Sequence, residues 1–271
     1  MNVAKLCGMQ RVALRVSTAI GATALIACAG AHVASAPTPE HAIGASTRQL
    51  IVVVTSDWDA VNGTLYRFQR AAGRPWQSVG QPYAIVVGKT GIGWGVGVAD
   101  WRTEATAGEP VKREGDGRAP AGIFRLGTAF GFAPADSLSA LRLPYLALTG
   151  STECVDDTRS SHYNTLVDRG AFAAPDWSSA EHMRGIKEYQ LGIVVEHNAD
   201  PPVPGRGSCI FVHIWDGPDV GTAGCTAMPS GNLTELVGWL DPADEPLLVQ
   251  LPQSEYRRHE ELWALPAVPG P

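Results

Sequence analysis

The chain has 271 residues, of which 45% are hydrophobic and 18% are charged, so it is long enough to bury the core of one large domain. Its formal net charge is -6, and the part after residue 36 carries 18 basic and 27 acidic residues, since three of the 21 basic residues and no acidic one precede it. This acidic balance argues against a nucleic-acid partner, because binding to phosphates requires clustered Lys and Arg.

The first 36 residues have the features of an export signal. Three basic residues precede the apolar segment 16–27, which is shorter than the roughly 20 apolar residues that a membrane-spanning helix needs. Residues 34–36 (ASA) fit a signal cleavage site, whereas residues 25–28 (LIAC) resemble a lipobox that would make Cys28 a lipidation site. An uncleaved anchor is a third alternative. All three predict an extracytoplasmic domain, in the periplasm or cell envelope, after a flexible linker over 37–48.

Short apolar or alternating segments predict a mostly β domain over 49–254. Closely spaced strands of this kind indicate a β-sandwich or a barrel-like closed sheet. The clearest core strands are 189–197 (YQLGIVVEH) and 208–215 (SCIFVHIW). The other predicted strands are 49–55, 63–70, 76–79, 83–87, 121–126, 145–149 and 247–251.

The segments between these strands are predicted to be loops and a few short helices. The glycine-rich segment 91–97 is predicted as a loop or strand, because no Lys-Ser/Thr pair of a phosphate loop follows it. The polar segment 102–119 is predicted to be an exposed loop. Short helices are predicted over 180–187 and from an N-cap at Asn232 through Leu240. Residues 255–271 are predicted to be a tail.

Five cysteines are present, and three of them, Cys154, Cys209 and Cys225, lie in the predicted folded part. An odd number of cysteines in an oxidising compartment leaves one thiol unpaired. The simplest arrangement is a Cys154–Cys209 disulfide with Cys225 free, and the alternative is three buried thiols that act as small hydrophobic groups. No C-x-x-C or H-x-x-x-H spacing occurs, so the sequence predicts no metal site.

His213 and Cys225 are the strongest candidates for nucleophilic catalysis. His213 lies in a predicted core strand, and Cys225 follows it by 12 residues, after a glycine-rich loop. A thiol must lose its proton to attack a carbonyl, and a histidine within hydrogen-bond reach can accept it. The backbone N–H groups of Gly224 and Cys225 are expected to face a developing oxyanion. In the competing interpretation, His213 is a core histidine and Cys225 is an unrelated buried cysteine. An unpaired thiol outside the cytoplasm argues against this interpretation.

These residues resemble the signature of the L,D-transpeptidase family of YkuD type. In that family a histidine is followed by Ser/Thr-His-Gly-Cys, and here His213 is followed by Thr222-x-Gly224-Cys225. The similarity is to the divergent branch of the family, and it extends over residues 81–251. It implies a single YkuD-like catalytic domain, a β-sandwich or barrel-like sheet with a few short helices, which needs no cofactor.

The resemblance implies an exported enzyme that cross-links peptidoglycan stem peptides. Cys225 would attack the third stem residue's carbonyl and form a thioester, the terminal D-alanine would leave, and an amine of a second stem would take the acyl group. His213 would transfer the proton, and Thr222 would steady the site. An L,D-carboxypeptidase and a catalytically inactive wall-binding lipoprotein are the alternatives. The expected monomer would contact a membrane only through its signal or lipid anchor.

Two positions depart from the family pattern. Ala223 replaces the second histidine, and Ala227 stands where the family often has an arginine. If that arginine grips a substrate carboxylate, another cation must replace it, and the candidates are Arg159, Arg184 and Arg206.

The polar segment 154–164 is the second predicted functional cluster, with a hydrogen-bonded structural loop as the competing interpretation. The predicted substrate-binding residues are Asp157, His162, Tyr163, Asn164 and Arg206.

Overall fold

The computed structural model describes residues 43–138 and 140–269, so the predicted export signal and Cys28 lie outside the described residues. In this part of the chain, strands predominate over short helices, which confirms the mostly β fold class. The strands are β1 (Gln49–Thr55), β2 (Asn62–Gln69), β3 (Gln77–Ser78), β4 (Tyr83–Val86), β5 (Ile92–Trp94), β6 (Ala119–Gly131), β7 (Tyr145–Ala147), β8 (Thr152–Val155), β9 (Leu166–Asp168), β10 (Ala180–His182), β11 (Leu191–Val195), β12 (Phe211–Ile214), β13 (Thr226–Met228) and β14 (Leu247–Pro252).

Eight strands close into a barrel. Their order is β1-β14-β6-β11-β12-β13-β4-β2, and β2 pairs in turn with β1. The remaining strands of this sheet are attached to it, with β3 on β2 and both β5 and β7 on β6. In this closed order, β1 lies between two partner strands. This explains why all seven of its residues are buried and why its sequence is a nearly continuous apolar run.

The three α-helices of the described residues are α1 (Trp101–Glu104), α2 (Ser230–Trp239) and α3 (Gln253–His259). The second helix begins at Ser230, directly after Pro229, so the predicted N-cap at Asn232 is wrong: a proline before the first turn already sets the entry of the chain. Within residues 43–138 and 140–269, no helix is both long and apolar enough to cross a bilayer.

Both ends of the described chain pack onto the barrel, contrary to the predicted linker and tail. Ile43 and Thr47 are buried, although they fall in the predicted linker over 37–48. At the other end, α3 and the residues after it cover one side of β14, and Tyr256 and Trp263 lie in the main core. The predicted end of the domain at residue 254 is therefore wrong. The helix α3 has only seven residues, mostly polar, so its apolar positions are too few to reveal a helical period in the sequence.

A separate three-stranded sheet has the order β10-β8-β9. The predicted helix over 180–187 is wrong: Ala180–His182 pairs with β8, and 3₁₀ turns follow it at Met183–Gly185 and Lys187–Gln190. Cys154 of β8 lies opposite Glu181 of β10, and the next pair along the ladder is Glu153 with His182. Side chains alternate along a strand, so the two pairs occupy opposite faces of this sheet.

Candidate active site

Strands β12 and β13 bring the two predicted catalytic residues to one side of the barrel wall. The strands are parallel neighbours, and His213 lies opposite Ala227. Continuing this register backwards by two residues sets Cys225 beside Phe211, whose side chain shares a face of β12 with that of His213. The Phe211 N–H donates to Cys225 Sγ at 3.3 Å. Strand pairing therefore closes the 12-residue separation between the thiol and the imidazole.

Cys225 and His213 line the same cavity, which has a volume of about 520 Å³. The predicted site residues Thr222 and Gly224 also line it, together with Ala223. A cavity of this size is typical of sites that hold a small molecule or a short peptide. Its other polar lining includes Lys112, Glu114, Asp156, Glu181 and Tyr189.

The Cys225 thiol is protonated in this environment. Burial raises its pKa to about 12, and the nearby carboxylate of Glu181 contributes to the rise. The N–H of Phe211 and the charge of Lys112 act in the opposite direction. The thiol also lies 3.5 Å from the Cys209 carbonyl oxygen, an acceptor for the S–H. A thiol held this way can attack only if a neighbouring base takes its proton.

His213 has the tautomer that such a base needs. Its Nδ1 lies 2.7 Å from the Ile214 carbonyl oxygen, and a carbonyl can only accept, so Nδ1 carries the proton and Nε2 has a free lone pair. Burial lowers the pKa of His213, which keeps the imidazole neutral near pH 7. The ring packs edge to face with Tyr189, with ring centroids 5.3 Å apart. The carbonyl and the aromatic ring together fix the tautomer and the ring plane.

Thr222 braces the turn before the nucleophile. Its hydroxyl donates to the Cys225 carbonyl oxygen at 2.7 Å and accepts the Gly224 N–H at 3.1 Å. The Gly224 N–H is therefore used by Thr222, which corrects the expectation that it faces an oxyanion. A side chain at position 224 would be crowded, since a Cβ would lie 3.0 Å from the Arg118 carbonyl oxygen and 3.4 Å from Lys112 Nζ.

A disulfide joins Cys154 to Cys209, and Cys225 is the free cysteine of the described residues. The bridge ties β8 to the backbone beside the nucleophile, since the Cys209 carbonyl faces the Cys225 thiol. Asn164 fixes the same backbone: its side-chain oxygen accepts the Cys209 N–H at 2.9 Å, and its amide donates to the carbonyls of His197 and Asn198. Asn164 thus has a structural role that supports the position of the thiol.

The predicted substrate-binding residues lie outside the cavity lining. Asp157 is held by Arg159 and by Ser178, and these contacts lower its pKa. His162 packs edge to face on Phe172 and Trp177.

Two more predicted substrate-binding residues also serve the surrounding structure. The Tyr163 hydroxyl donates to Glu114, which itself lines the cavity, and burial raises the pKa of Tyr163. The backbone carbonyl oxygen of Arg206 forms a hydrogen bond with the imidazole ring of His197. The contacts of these residues hold the loops behind the cavity wall, and none of the five predicted residues is among those that line the cavity.

Lys112 is the cation of this cavity, and sequence analysis missed it. Its Nζ donates to Asp116 Oδ1 at 2.7 Å and to the Arg113 carbonyl oxygen at 2.9 Å, and only 3% of the side chain is exposed. The segment 102–119 was predicted to be an exposed loop because it is polar, but it folds back so that this lysine is buried. Of the predicted cations, Arg159 pairs with Asp157, and Arg184 lies over the ring of Phe132.

Ala227 stands where the family often has an arginine. It is fully buried in β13, between His213 on β12 and Val86 on β4. It follows Cys225 by two residues, so its side chain lies on the same face of β13 as the Cys225 thiol.

Asp156 belongs to the predicted functional cluster over 154–164, and it lines the cavity directly after β8. Glu181 also lines the cavity, but it was not predicted as a binding residue. Its segment was predicted to be a helix. Within the described residues, no group of three or more His, Cys, Asp or Glu side chains is arranged to hold a metal ion.

No family model matches this sequence, and a search of curated proteins finds no significant relative.

Proposed function

We propose that this chain is an exported peptidoglycan L,D-transpeptidase, a cysteine-dependent acyltransferase that joins stem peptides. The observation that carries the proposal is the pairing of a free Cys225 with a neutral His213 of fixed tautomer on the wall of one cavity. The resemblance of His213, Thr222, Gly224 and Cys225 to the YkuD signature supplies the reaction class. The N-terminal export signal would bring the domain to the cell wall, its site of action.

The acylation step begins with the stem peptide in the cavity. The Cys225 sulfur attacks the carbonyl carbon of the third stem residue at its L-centre, and the thiol proton moves to His213 Nε2. The C–N bond to the terminal D-alanine then breaks, and the imidazolium returns the proton to the leaving amine. The products are a thioester on Cys225 and free D-alanine. No metal or organic cofactor is required.

The deacylation step uses the amine of a second stem. The amine attacks the thioester carbonyl, His213 accepts the proton that the amine loses, and the Cys225 sulfur leaves and is reprotonated. The new amide is the cross-link. If water replaced the amine, the same thioester would be hydrolysed and the enzyme would be an L,D-carboxypeptidase. An inactive wall-binding lipoprotein is a third candidate, in which Cys225 would not be acylated.

Intact-protein mass spectrometry with a tetrapeptide stem tests the proposal, using the domain from Pro37. We expect a transient mass gain equal to the stem without its terminal D-alanine, and no gain in Cys225→Ala. His213→Gln keeps the thiol but removes the base, so its acylation rate should fall by about 10²–10⁴-fold. An unchanged mass with intact, folded protein would contradict the proposal.

The products in the same reaction separate the remaining candidates. Cross-linked dimers support the transpeptidase, tripeptides alone indicate the carboxypeptidase, and the absence of both adduct and product favours the wall-binding protein.

A further inference from the structure

Lys112 is a charged residue of the cavity that the proposed reaction does not use. Among the described residues that line the cavity with Cys225, it is the single lysine or arginine. Its side chain is almost fully buried, with 3% exposed. Water screens a buried charge weakly, so this ammonium group acts on its neighbours more strongly than a lysine on the surface would.

Backbone hydrogen bonds hold Lys112 at one place in the cavity wall. Its N–H donates to the Trp94 carbonyl oxygen at 2.9 Å, and the Trp94 N–H donates to the Pro110 carbonyl oxygen at 2.8 Å. Two residues further along, the Glu114 N–H donates to the Gly205 carbonyl oxygen at 3.0 Å. These bonds tie the polar segment to the buried strand β5 on one side and to the loop before β12 on the other.

The lysine side chain reaches the loop of the nucleophile because two glycines leave room for it. A Cβ at Gly207 would lie 2.9 Å from Lys112 Cε, and a Cβ at Gly224 would lie 3.4 Å from Lys112 Nζ. Gly224 directly precedes Cys225, so the ammonium group lies next to the backbone that carries the thiol. Burial is the main cause of the raised pKa of this thiol, and the charge of Lys112 acts against it.

The ion pair of Lys112 has its positive end at the cavity. Asp116, the partner of Lys112, is not among the residues that line the cavity. Its carboxylate also accepts the backbone N–H groups of Arg113 and Arg118, at 2.7 and 2.9 Å, and these bonds fix it in its own loop. The pair is therefore an oriented dipole, and the field of the cation dominates in the cavity.

The ammonium group of Lys112 also has an unused donor. It has three N–H bonds, of which two go to the Asp116 carboxylate and the Arg113 carbonyl oxygen. Within residues 43–138 and 140–269, the third N–H has no acceptor. The N–H of Gly224 is in contrast already used by Thr222. Lys112 is thus a donor and a positive charge that remain available beside the nucleophile.

The catalytic base is governed by other groups. Burial lowers the pKa of His213, and the Ile214 carbonyl and the charge of Glu188 act in the opposite direction. When the thiol proton moves to His213, the products are a thiolate and an imidazolium. The charge of Lys112 favours the thiolate, whereas the imidazolium is favoured by a different set of contacts.

We infer that Lys112 stabilises the Cys225 thiolate that forms when His213 takes the thiol proton. The S–H bond of Cys225 breaks, an N–H bond forms at His213 Nε2, and Lys112 keeps its three protons throughout. Lys112 is therefore a positioning residue that acts on the nucleophile through its charge. This inference rests on the proposed function only in taking Cys225 as the nucleophile and His213 as its base.

Alkylation of Cys225 by iodoacetamide tests the inference without a peptidoglycan substrate, because the thiolate is the form that reacts. The full chain is used, and peptide mass mapping follows Cys225 separately from Cys7 and Cys28. A rise of one in the pKa lowers the thiolate fraction about tenfold, and the higher nucleophilicity of the more basic thiolate offsets about threefold of this. The rate at a fixed pH should therefore fall by about threefold.

Two single variants that break the same ion pair should change the alkylation rate in opposite directions. Lys112→Met removes the cation and should slow alkylation about threefold or more. Asp116→Asn leaves the cation uncompensated and should speed alkylation, and the double variant should lie between Lys112→Met and wild type. Lys89→Met is the matched control. It removes the same charge from an exposed side chain outside the cavity lining, so the rate should change by less than about twofold.

The direction of the change separates an electrostatic role from a role in holding the loop. If the ion pair only held the loop, both single variants would change the rate in the same direction, because each breaks the same contact. That result, or an unchanged rate in folded Lys112→Met, would overturn the inference. Equal rates in Asp116→Asn and wild type would also overturn it, even if Lys112→Met does not fold. The pH profile of alkylation should move to higher pH in Lys112→Met and to lower pH in Asp116→Asn.

Acylation by the tetrapeptide stem, measured on the same variants, keeps the inference distinct from the proposed function. If no variant is acylated but the alkylation rates have the expected order, the proposed function fails and the role of Lys112 stands. If wild type is acylated but both single variants change alkylation in the same direction, the proposed function stands and the inference fails.

Discussion

The Cys225 thiol and the Glu181 carboxyl both have pKa values above their ordinary ones. Burial is the largest cause of the raised pKa in both groups. The pKa of His213 is lowered, because burial disfavours the charged imidazolium. The resting site therefore holds a neutral thiol beside a neutral base, and attack on a carbonyl needs proton transfer within the pair.

The difference in stability between Glu181→Gln and wild type should depend on pH in a predictable direction. The pKa of Glu181 is raised from 4.5 to about 7, so the folded state binds more protons than the unfolded state between these values. The free energy of unfolding of the wild type therefore falls as pH rises through this window and stays lower above it. The glutamine variant does not lose stability in this way. Its free energy of unfolding should therefore rise by about 2 kcal/mol relative to that of wild type between pH 4 and pH 8, a value that is reduced for the partial exposure of Glu181.

Urea unfolding at several pH values measures this difference. The variant and wild-type curves should diverge as pH rises, and parallel curves would mean that Glu181 titrates at its ordinary pKa.

Thr222 should act as a positioning residue through its two hydrogen bonds. Thr222→Val removes both the bond to the Cys225 carbonyl oxygen and the bond from the Gly224 N–H, so the acylation rate should fall about tenfold or more. Thr222→Ser keeps the hydroxyl and should restore most of the rate. Equal acylation rates in the two variants would show that the hydroxyl does not matter for the chemistry, even if both variants unfold more readily.

At the scale of elements, the small sheet β10-β8-β9 brings Glu181 to the acidic wall of the cavity, which consists of Glu114, Asp156 and Glu181. The face of the sheet that carries Cys154 also carries Glu181. The other face carries Glu153, whose carboxylate accepts the Trp177 indole N–H at 2.8 Å and contacts His182. The disulfide fixes which face meets the nucleophile.

Removal of the disulfide should affect both stability and activity. Cys154 and Cys209 are 55 residues apart, and the loss of loop-closure entropy predicts a fall of about 4 kcal/mol in the free energy of unfolding of a Cys154→Ser, Cys209→Ser variant. The acylation rate should also fall, because the Cys209 backbone and the acidic wall lose their tether. Urea unfolding and acylation kinetics, with reduced wild-type protein for comparison, measure both effects. An unchanged acylation rate in the folded variant would show that the strand pairing alone positions the wall.

At the scale of the whole molecule, the candidate site shares residues with a second buried cluster, which is separate from the main core. A cluster of buried side chains that includes Cys225 also contains Phe130, Tyr189 and Phe211, which pack edge to face at centroid distances of 5.0–5.7 Å. Tyr189 then contacts the His213 ring. Packing changes on the far side of this cluster should therefore reach the catalytic base.

Gly192→Ala tests this coupling. Gly192 lies opposite His213 in the β11–β12 ladder, and an added Cβ would lie 2.3 Å from the nearest Phe130 ring atom. The ring must move, which should cost about 1–3 kcal/mol of unfolding free energy and slow acylation. Gly185→Ala is the matched control, since a Cβ there meets no atom within 4 Å and should change neither quantity. Thermal unfolding and acylation rates of both variants give the comparison, and a normal acylation rate in Gly192→Ala would argue against coupling.

Patterns of neighbouring residues were enough to predict most of the barrel strands, but not β8, β9, β10, β13 or the ends of the domain. The runs 49–55 and 189–197 are apolar or alternating over several residues, so burial on the barrel imposes a period that is visible in the sequence. The helix α3 is short and rich in charge, and Tyr256 is buried only because distant strands provide a surface for it. The segment 180–187 was mistaken for a helix because its pairing partner β8 lies more than twenty residues earlier in the chain.

The sequence by itself determined the mostly β class, the odd thiol count and the His213–Cys225 pair, since each of these depends on composition or on a short local motif. The tertiary structure alone decided that Lys112 is buried beside Gly224, that Asp156 and Glu181 line one cavity, and that Asp157 and His162 support the wall without lining it. The physical reason is that burial and charge compensation depend on contacts between segments far apart in the chain. A polar residue in a loop looks the same in sequence whether water or a closed cavity surrounds it.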